Sequence, residues 1–255
     1  MKIASWNVNS MKVRLPHVLE WLAAADPDVL VLQEIKQQTD AFPVQELLEA
    51  GYRSVANGQK TYNGVATVSK ADIAEPVGEL PGFDDPQRRV LATTIGDVRV
   101  VNLYVPNGQA VGSDKYDYKL RWLAALRDYL ATELDAHEKL VVLGDFNIAP
   151  ADEDVYDPVA WGDEVLCSER ERAALQKLLE LGLTDTFRKF EQPEKTFSWW
   201  DYRAAGFRRN AGLRIDLILA SPALAERCAA SYVDKEPRAW ERPSDHAPVV
   251  AEFEI

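Results

Sequence analysis

The amino-acid sequence predicts an α/β protein. Short apolar runs rich in Val, Ile and Leu alternate with longer stretches of helical periodicity. Gly96-Asp97 separates two strand-like runs, 90–95 and 98–105, as a two-residue hairpin connection does, so part of the sheet is expected to be antiparallel. Further strands are expected at 2–7, 28–33, 64–69, 139–145, 196–200, 213–220 and 247–253. Leu15, Val18, Leu19 and Leu22 form one helical stripe, with Pro16 placed as an opening-turn proline, and Leu123, Leu126, Leu130 and Leu134 form a second. A third helix is expected to start at Ser168, whose Ser-x-x-Glu pattern to Glu171 makes a capping box, and to stop at Gly182.

With 47% hydrophobic residues in 255, the chain has material for a large core, and one domain over 1–255 is expected. No apolar run approaches the roughly 18 residues needed to cross a bilayer, and the N-terminus shows no signal-peptide pattern, so a cytoplasmic protein without membrane contact is expected. Cys167 and Cys228 lie far apart with no metal-binding spacing and read as buried small hydrophobes. A net charge of -12 argues against a general polyanion binder. Charge is uneven, however: 151–164 is rich in Asp and Glu, whereas 202–215 holds Arg203, Arg208, Arg209 and Arg214 with no acid.

Polar residues cluster at the ends of the strand-like runs. DVLVLQ (28–33) runs into Glu34, and KLVVLGDF (139–146), which contains Asp145, runs into Asn147. A carboxylate closing a buried strand is costly unless it is paired or binds metal. Oxygen donors of this kind suit a hard cation, Mg²⁺ or Mn²⁺. Walker-type and dinucleotide glycine loops are absent, so hydrolysis of a phosphodiester fits better than transfer of phosphate from ATP. Asp245-His246, bracketed by Pro243 and Pro248, offers a proton-holding group, with Asp216 available to orient the imidazole. His17 and His137 fall in expected helices without acidic company and read as surface residues.

Ser5-Trp6-Asn7-Val8-Asn9, Leu32-Gln33-Glu34, Asn102-Leu103-Tyr104-Val105-Pro106-Asn107-Gly108, Gly144-Asp145-Phe146-Asn147, Gly212-Leu213-Arg214-Ile215-Asp216 and Ser244-Asp245-His246 occur in an order that resembles exonuclease III-type enzymes of the endonuclease/exonuclease/phosphatase superfamily. The resemblance runs from residue 2 to about 253. It implies a four-layered α/β sandwich, two mixed β-sheets flanked by helices, and a Mg²⁺-dependent DNA repair nuclease for which Mn²⁺ substitutes. By position, Glu34 would be the main metal ligand, with Asn7 and Asp245 in or near the shell and Asn9 where some relatives carry Asp. Asp145, Asn147 and His246 would also face the ion. Asp145 would activate water and Asn147 would position it; His246, oriented by Asp216, would hold the phosphate, while Tyr104 and Asn107 would contact the phosphate or the leaving oxygen. The implied products carry a 3'-hydroxyl and a 5'-phosphate. The implied partner is double-stranded DNA with abasic sites or blocked 3' ends, met by a monomer associated with the nucleoid.

Trp199, Trp200, Tyr202 and Phe207 lie among the arginines, a mixture suited to nucleic-acid contact. Alternation places Trp200 in the core, whereas Trp199 and Leu213 match pocket walls for a baseless sugar, and Arg203 joins the substrate contacts. Lys60, Tyr62 and Asn63 read as a loop gripping backbone phosphates, with Arg88-Arg89 and Lys115, Lys119 and Arg121 as further candidates. The segment 161–168 is expected to overhang the DNA groove with Val165 and Leu166 at its tip, and so to select between internal and terminal sites. Two other readings stay open. A lipid or small-molecule phosphodiesterase is opposed by the arginine-and-aromatic stretch, and a non-catalytic nucleic-acid-binding regulator would be marked by lost metal ligands.

Overall fold

A strand buried on both faces must send successive side chains into two different cores. The computed structural model, which describes residues Met1–Ile255, shows this sorting throughout. In chain order the strands are β1 (Lys2–Asn7), β2 (Val29–Gln33), β3 (Arg53–Asn57), β4 (Val65–Ser69), β5 (Ala74–Val77), β6 (Val90–Ile95), β7 (Val98–Tyr104), β8 (Leu140–Asp145), β9 (Thr184–Asp185), β10 (Trp199–Trp200), β11 (Gly212–Leu213), β12 (Asp216–Ala220), β13 (Cys228–Val233) and β14 (Val249–Phe253). The helices are α1 (Met11–Ala25), α2 (Val44–Glu49), α3 (Asp114–Ala136), α4 (Pro158–Trp161), α5 (Glu169–Leu179) and α6 (Pro222–Ala225). One six-stranded sheet runs β13-β14-β1-β2-β4-β3, the other β5-β6-β7-β8-β12-β9, and β10 with β11 makes a separate ribbon. Both large sheets are mixed, with β1/β2 and β7/β8 parallel and their other pairs antiparallel.

Residue parity builds the layers. Ile3, Val29, Val31, Val98, Val100, Val141 and Leu143 meet between the sheets. Their neighbours Ala4, Leu30 and Leu32 instead pack outward against Trp21, Leu22 and Leu47 of α1 and α2, and Val101, Leu103, Leu140 and Val142 pack against Trp122, Leu126 and Leu175 of α3 and α5. The result is the four-layered sandwich, helices outside two face-packed sheets.

This topology places the polar strand ends together. The C-terminal ends of parallel β1 and β2 carry Asn7 and Glu34, and those of parallel β7 and β8 carry Tyr104 and Asp145 in register. Antiparallel β12 brings Asp216 opposite Asp145, and β14, antiparallel to β1, begins just after His246. All six therefore reach one rim.

Several expected elements differ. The segment expected at 196–200 is a strand only at its last two residues, and 213–220 breaks at Arg214–Ile215, where Arg214 turns inward to Asp154. Strands β3, β5, β9 and β13 have no counterpart in the sequence reading. All four lie at sheet edges, and β3, β5 and β13 keep exposed positions, which weakens an apolar signal. Pro16 sits inside α1 because Met11 opens the helix one turn earlier. His17 is half-buried edge-on against Trp240 at 5.2 Å, and half-buried His137 caps α3, so neither is a free surface residue. Both cysteines are free and buried as expected.

Candidate active site

Asn7 organises the carboxylates. Its Nδ2 donates to Glu34 Oε1 at 2.9 Å and to Asp145 Oδ2 at 2.9 Å, while its Oδ1 accepts from the Asn9 amide. It thus turns its donor face, not an oxygen ligand, toward the acids. Glu34 Oε2 also lies 3.0 Å from Lys36 Nζ, which donates to Asn9 Oδ1. Asn9 and Trp199 in turn donate to the two oxygens of Asp245 at 3.0 and 3.1 Å. This uses Asp245 as an acceptor for neighbouring side chains, outside the group of closest ligand atoms.

That group is Glu34, Asp145 and His246, whose ligand atoms lie within 4.8 Å of one another. His246 Nδ1 is 2.9 Å from Asp216 Oδ2, and its Nε2 is 3.7 Å from Asp145 Oδ2. Ser198 Oγ donates to the same Asp216 oxygen at 2.6 Å and accepts from the Ile215 and Asp216 amides, which fixes the carboxylate behind the ring. Asp216 Oδ1 is buried without a partner. Burial pushes the Asp145 carboxyl up to about 7, with Asp216 and Glu34 adding to the rise against His246 and Asn7. Burial alone would disfavour a charged His246, but Asp216 and Asp145 outweigh it and raise the imidazole to about 10. Counted together, Glu34, Asp145, Asp216 and Asp245 bring four carboxyl groups to this rim, whose negative charge Lys36 and His246 only partly offset. The donor set therefore fits a divalent cation.

Tyr104 and the two asparagines complete the rim. Burial, with Glu34 and Asp145 near, holds the Tyr104 phenol well above its ordinary range, so it is a proton donor. The Arg89 guanidinium lies 4.7 Å from its ring and donates to its carbonyl. Asn147 donates its amide N–H to Asp145 Oδ1 and its Nδ2 to Val105 O, and accepts from Asn107 Nδ2 at 3.4 Å.

The remaining expected contacts divide. Tyr62, Asn63 and Asn107 line one cleft of about 790 Å³ with Gln59, Arg89 and Lys115, whereas Lys60 is exposed outside that lining. Asn63 itself is buried and bonded to Gln59 and Gln87. Trp199 lines a separate cavity of about 190 Å³ with Tyr156, Trp161, Asp201, Arg203 and Arg209. Leu213 is not an open wall of it. The side chain is wholly buried with Val155, Leu166 and Cys167, as Leu213 is flanked by Trp199 of β10 on one side and bridged by Val155 on the other.

The basic stretch is smaller than its sequence suggests. Arg214 is buried against Asp154 and Asp185, and Arg203 is chelated by Asp201. Only Arg208 and Arg209 stay exposed without an acidic partner. Lys119 is fully buried and pairs with Glu171, so it cannot reach a phosphate on DNA, and Arg89 supports Tyr104. In the 161–168 segment Leu166 is buried and Val165 packs beside it; Gly162, Asp163 and Glu164 form the exposed tip. Trp200 is in the core as expected.

The sequence reading missed Lys36, Ser198 and Arg14. Arg14 donates to the carbonyls of Asn9 and Pro243, tying the β1 end to the loop that carries Asp245 and His246. Lys36 stands two residues after Glu34, and Ser198 inside the Phe197-Ser198-Trp199-Trp200 run, so proximity to a motif was the only available signal.

These features are those of a family. The chain belongs to the Endonuclease/Exonuclease/phosphatase family, whose model matches residues 4–246. It is 40% identical to exodeoxyribonuclease III of Haemophilus influenzae, over 99% of this chain and 100% of that protein. Among solved structures it is similar to the 3' phosphatase NExo from Neisseria bound to a product DNA hairpin, with a TM-score of 0.98 and 52% identity. It is also similar to an AP endonuclease from Archaeoglobus fulgidus, with a TM-score of 0.96 and 40% identity; each comparison covers 100% of both chains.

Proposed function

We propose that this protein is a metal-dependent DNA repair nuclease that hydrolyses phosphodiester bonds in duplex DNA, with Mg²⁺ as its ion and Mn²⁺ as a substitute. The observation that carries this reading is the convergence of Glu34, Asp145 and His246 at one rim, with Asp216 fixed behind the histidine. Relatives at 40% identity or above are named as exodeoxyribonuclease III, a 3' phosphatase and an AP endonuclease. Three such labels support one phosphate-ester chemistry on DNA, applied to different ends or lesions.

Glu34 would hold the ion, with Asn7 orienting the carboxylates and Asp245 in or near the coordination shell. When bound, a divalent ion supplies charge neutralisation at the phosphate and the leaving oxygen. Asp145, buried and held by Asn7 and the Asn147 amide, would take the proton of an attacking water. Asn147 would direct its amide at that water. His246, protonated and braced by Asp216, would donate from Nε2 to a phosphate oxygen, and Tyr104 and Asn107 would donate to the phosphate or leaving group. Every group comes from one copy of the chain, which supports action as a monomer. Trp199, Arg203, Tyr62 and Asn63 would contact the duplex at abasic sites or blocked 3' ends.

The test is a labelled duplex carrying one abasic site, beside a second with a 3'-phosphate, each incubated with and without Mg²⁺. Metal-dependent incision, stepwise shortening or phosphate removal is expected, and the pattern reports the balance of activities. A protein inert on both, yet active on a small phosphodiester, would replace this reading with its rival.

A further inference from the structure

Lys119 reaches from α3 to the back of the rim, and the proposed chemistry does not use it. It is nonetheless 0% exposed, and its Nζ donates to Asn147 O at 2.6 Å, to Asn107 O at 3.1 Å and to Glu171 Oε1. A buried ammonium is costly to desolvate, and a methionine would fill the same space. Burial pulls this lysine below its ordinary range, with Glu171 opposing the fall. Glu171 is fixed in turn, since Ser168 N and Leu166 N donate to it and Ser168 Oγ meets Tyr116 Oη at 2.6 Å.

The two carbonyls that Lys119 holds belong to the residues whose side chains meet at the rim. Asn107 Nδ2 donates to Asn147 Oδ1, and Asn147 N donates to Asp145 Oδ1. Asn147 also has φ of 49°, the left-handed region that asparagine tolerates better than most L residues, so its carbonyl is turned toward the Lys119 ammonium within a tight backbone bend. The next residue after Asn107, Gly108, has φ of +93° and lies so close to the lysine stem that an added Cβ would stand 3.1 Å from Lys119 Cδ.

We infer that Lys119 is a positioning residue: with Glu171 as its charge partner, it clamps the Asn107 and Asn147 backbones so that both side chains, and through the Asn147 amide Asp145, are set for the reaction. If the rim is the nuclease site proposed above, releasing the clamp should reduce turnover more than substrate affinity, because a shift of about 1 Å in a reacting group costs on the order of 10²-fold.

Three variants of the full chain test this on the metal-loaded abasic duplex, with kcat, KM and the metal-free Tm measured for each. Lys119→Met should lower kcat by about 10- to 100-fold with little change in KM, and should lower Tm because Glu171 is left as an unpaired buried anion. In Lys119→Met/Glu171→Gln that anion is gone, so Tm should recover in part while kcat stays low. Glu171→Gln alone leaves the lysine in reach of both carbonyls. It should therefore lower Tm yet hold kcat within about threefold, and it keeps the test decisive should Lys119→Met not fold. Recovery of kcat along with Tm in the double variant, or a Glu171→Gln kcat loss as deep as that expected for Lys119→Met, would make the pair merely structural and overturn the inference. Wild-type protein without DNA cleavage would instead remove the nuclease reading itself.

Discussion

Asp145 and Glu34 share a rim but not an environment, so their loss should be felt differently. Asp145 is 1% exposed and bonded to Asn7 and Asn147, whereas the Glu34 side chain is 19% exposed beside Lys36. Asp145→Asn removes a proton acceptor and should lower kcat by about 10²- to 10⁴-fold with DNA binding kept. Glu34→Gln should weaken Mg²⁺ affinity and activity together, with partial rescue by excess Mn²⁺. Titration calorimetry with Mg²⁺, beside steady-state rates, separates the two; a Glu34→Gln protein with unchanged metal affinity would take Glu34 out of the ligand set. His246 gives a pH signature. Its folded value of about 10 lies above the ordinary 6.5, so its contribution to stability is complete below 6.5 and is lost as pH rises through 10. In chelator-treated protein the Tm gap between wild type and His246→Gln should shrink from pH 6.5 to 10, and a constant gap would show that Asp216 does not hold an imidazolium. The acids and the histidine were legible in the sequence because each closes or precedes an apolar run. Ser198, Lys36 and Lys119 were not, since a polar residue within a run carries no mark of where its side chain turns.

At the scale of elements, β8 depends on a residue without a side chain. Gly144 has φ of +147°, and a Cβ there would fall 1.9 Å from the backbone oxygen of Leu103 on β7. Gly144→Ala should therefore force β7 and β8 apart and destabilise the protein by about 3 kcal/mol or more, since neither backbone can yield without breaking the ladder. Urea unfolding followed by circular dichroism measures this, and a midpoint near wild type would mean that the strands part without cost. The same substitution sits next to Asp145, so activity should fall even in protein that folds. The ribbon of β10 and β11 shows what pairing decides. Trp199 and Leu213 are register partners, yet one lines a cavity and the other is buried. Both matched pocket-wall positions in the sequence, from separate segments; in the fold Leu213 is a buried member of the cluster with Val155 and Cys167, while Trp199 packs on that cluster and stays partly exposed.

For the whole molecule, a net charge of -12 has to be reconciled with a polyanionic substrate. The burial of Arg214 and the pairing of exposed Arg203 with Asp201 leave little free positive charge in the 202–215 stretch beyond Arg208 and Arg209, so selectivity is expected to depend on shape near Trp199 more than on long-range attraction. Trp199→Ala should lower incision at abasic sites and weaken discrimination against intact duplex, because flipping costs least where no base is unstacked. Arg208→Ala, at an exposed arginine, should weaken binding to both duplexes alike and reduce the salt slope by roughly one. Binding measured across a salt series on both duplexes distinguishes them, and a Trp199→Ala protein that behaves like Arg208→Ala would end the selectivity assignment.

The sequence by itself determined the α/β class, the runs that became β1, β2, β4, β6, β7, β8, β12 and β14, and polar residues at several of their ends. Those features are local: period-two burial, a Gly-Asp hairpin and a capping box each act within a few residues. Only the tertiary structure decided that Asn7 turns its donors to the acids, that Arg214 and Lys119 spend their charge inside, and that Leu213 lies buried. Each of these depends on a partner from a distant part of the chain, Asp145 for Asn7, Asp154 for Arg214, Glu171 for Lys119, and a charge reads the same in sequence whether it faces water or such a partner.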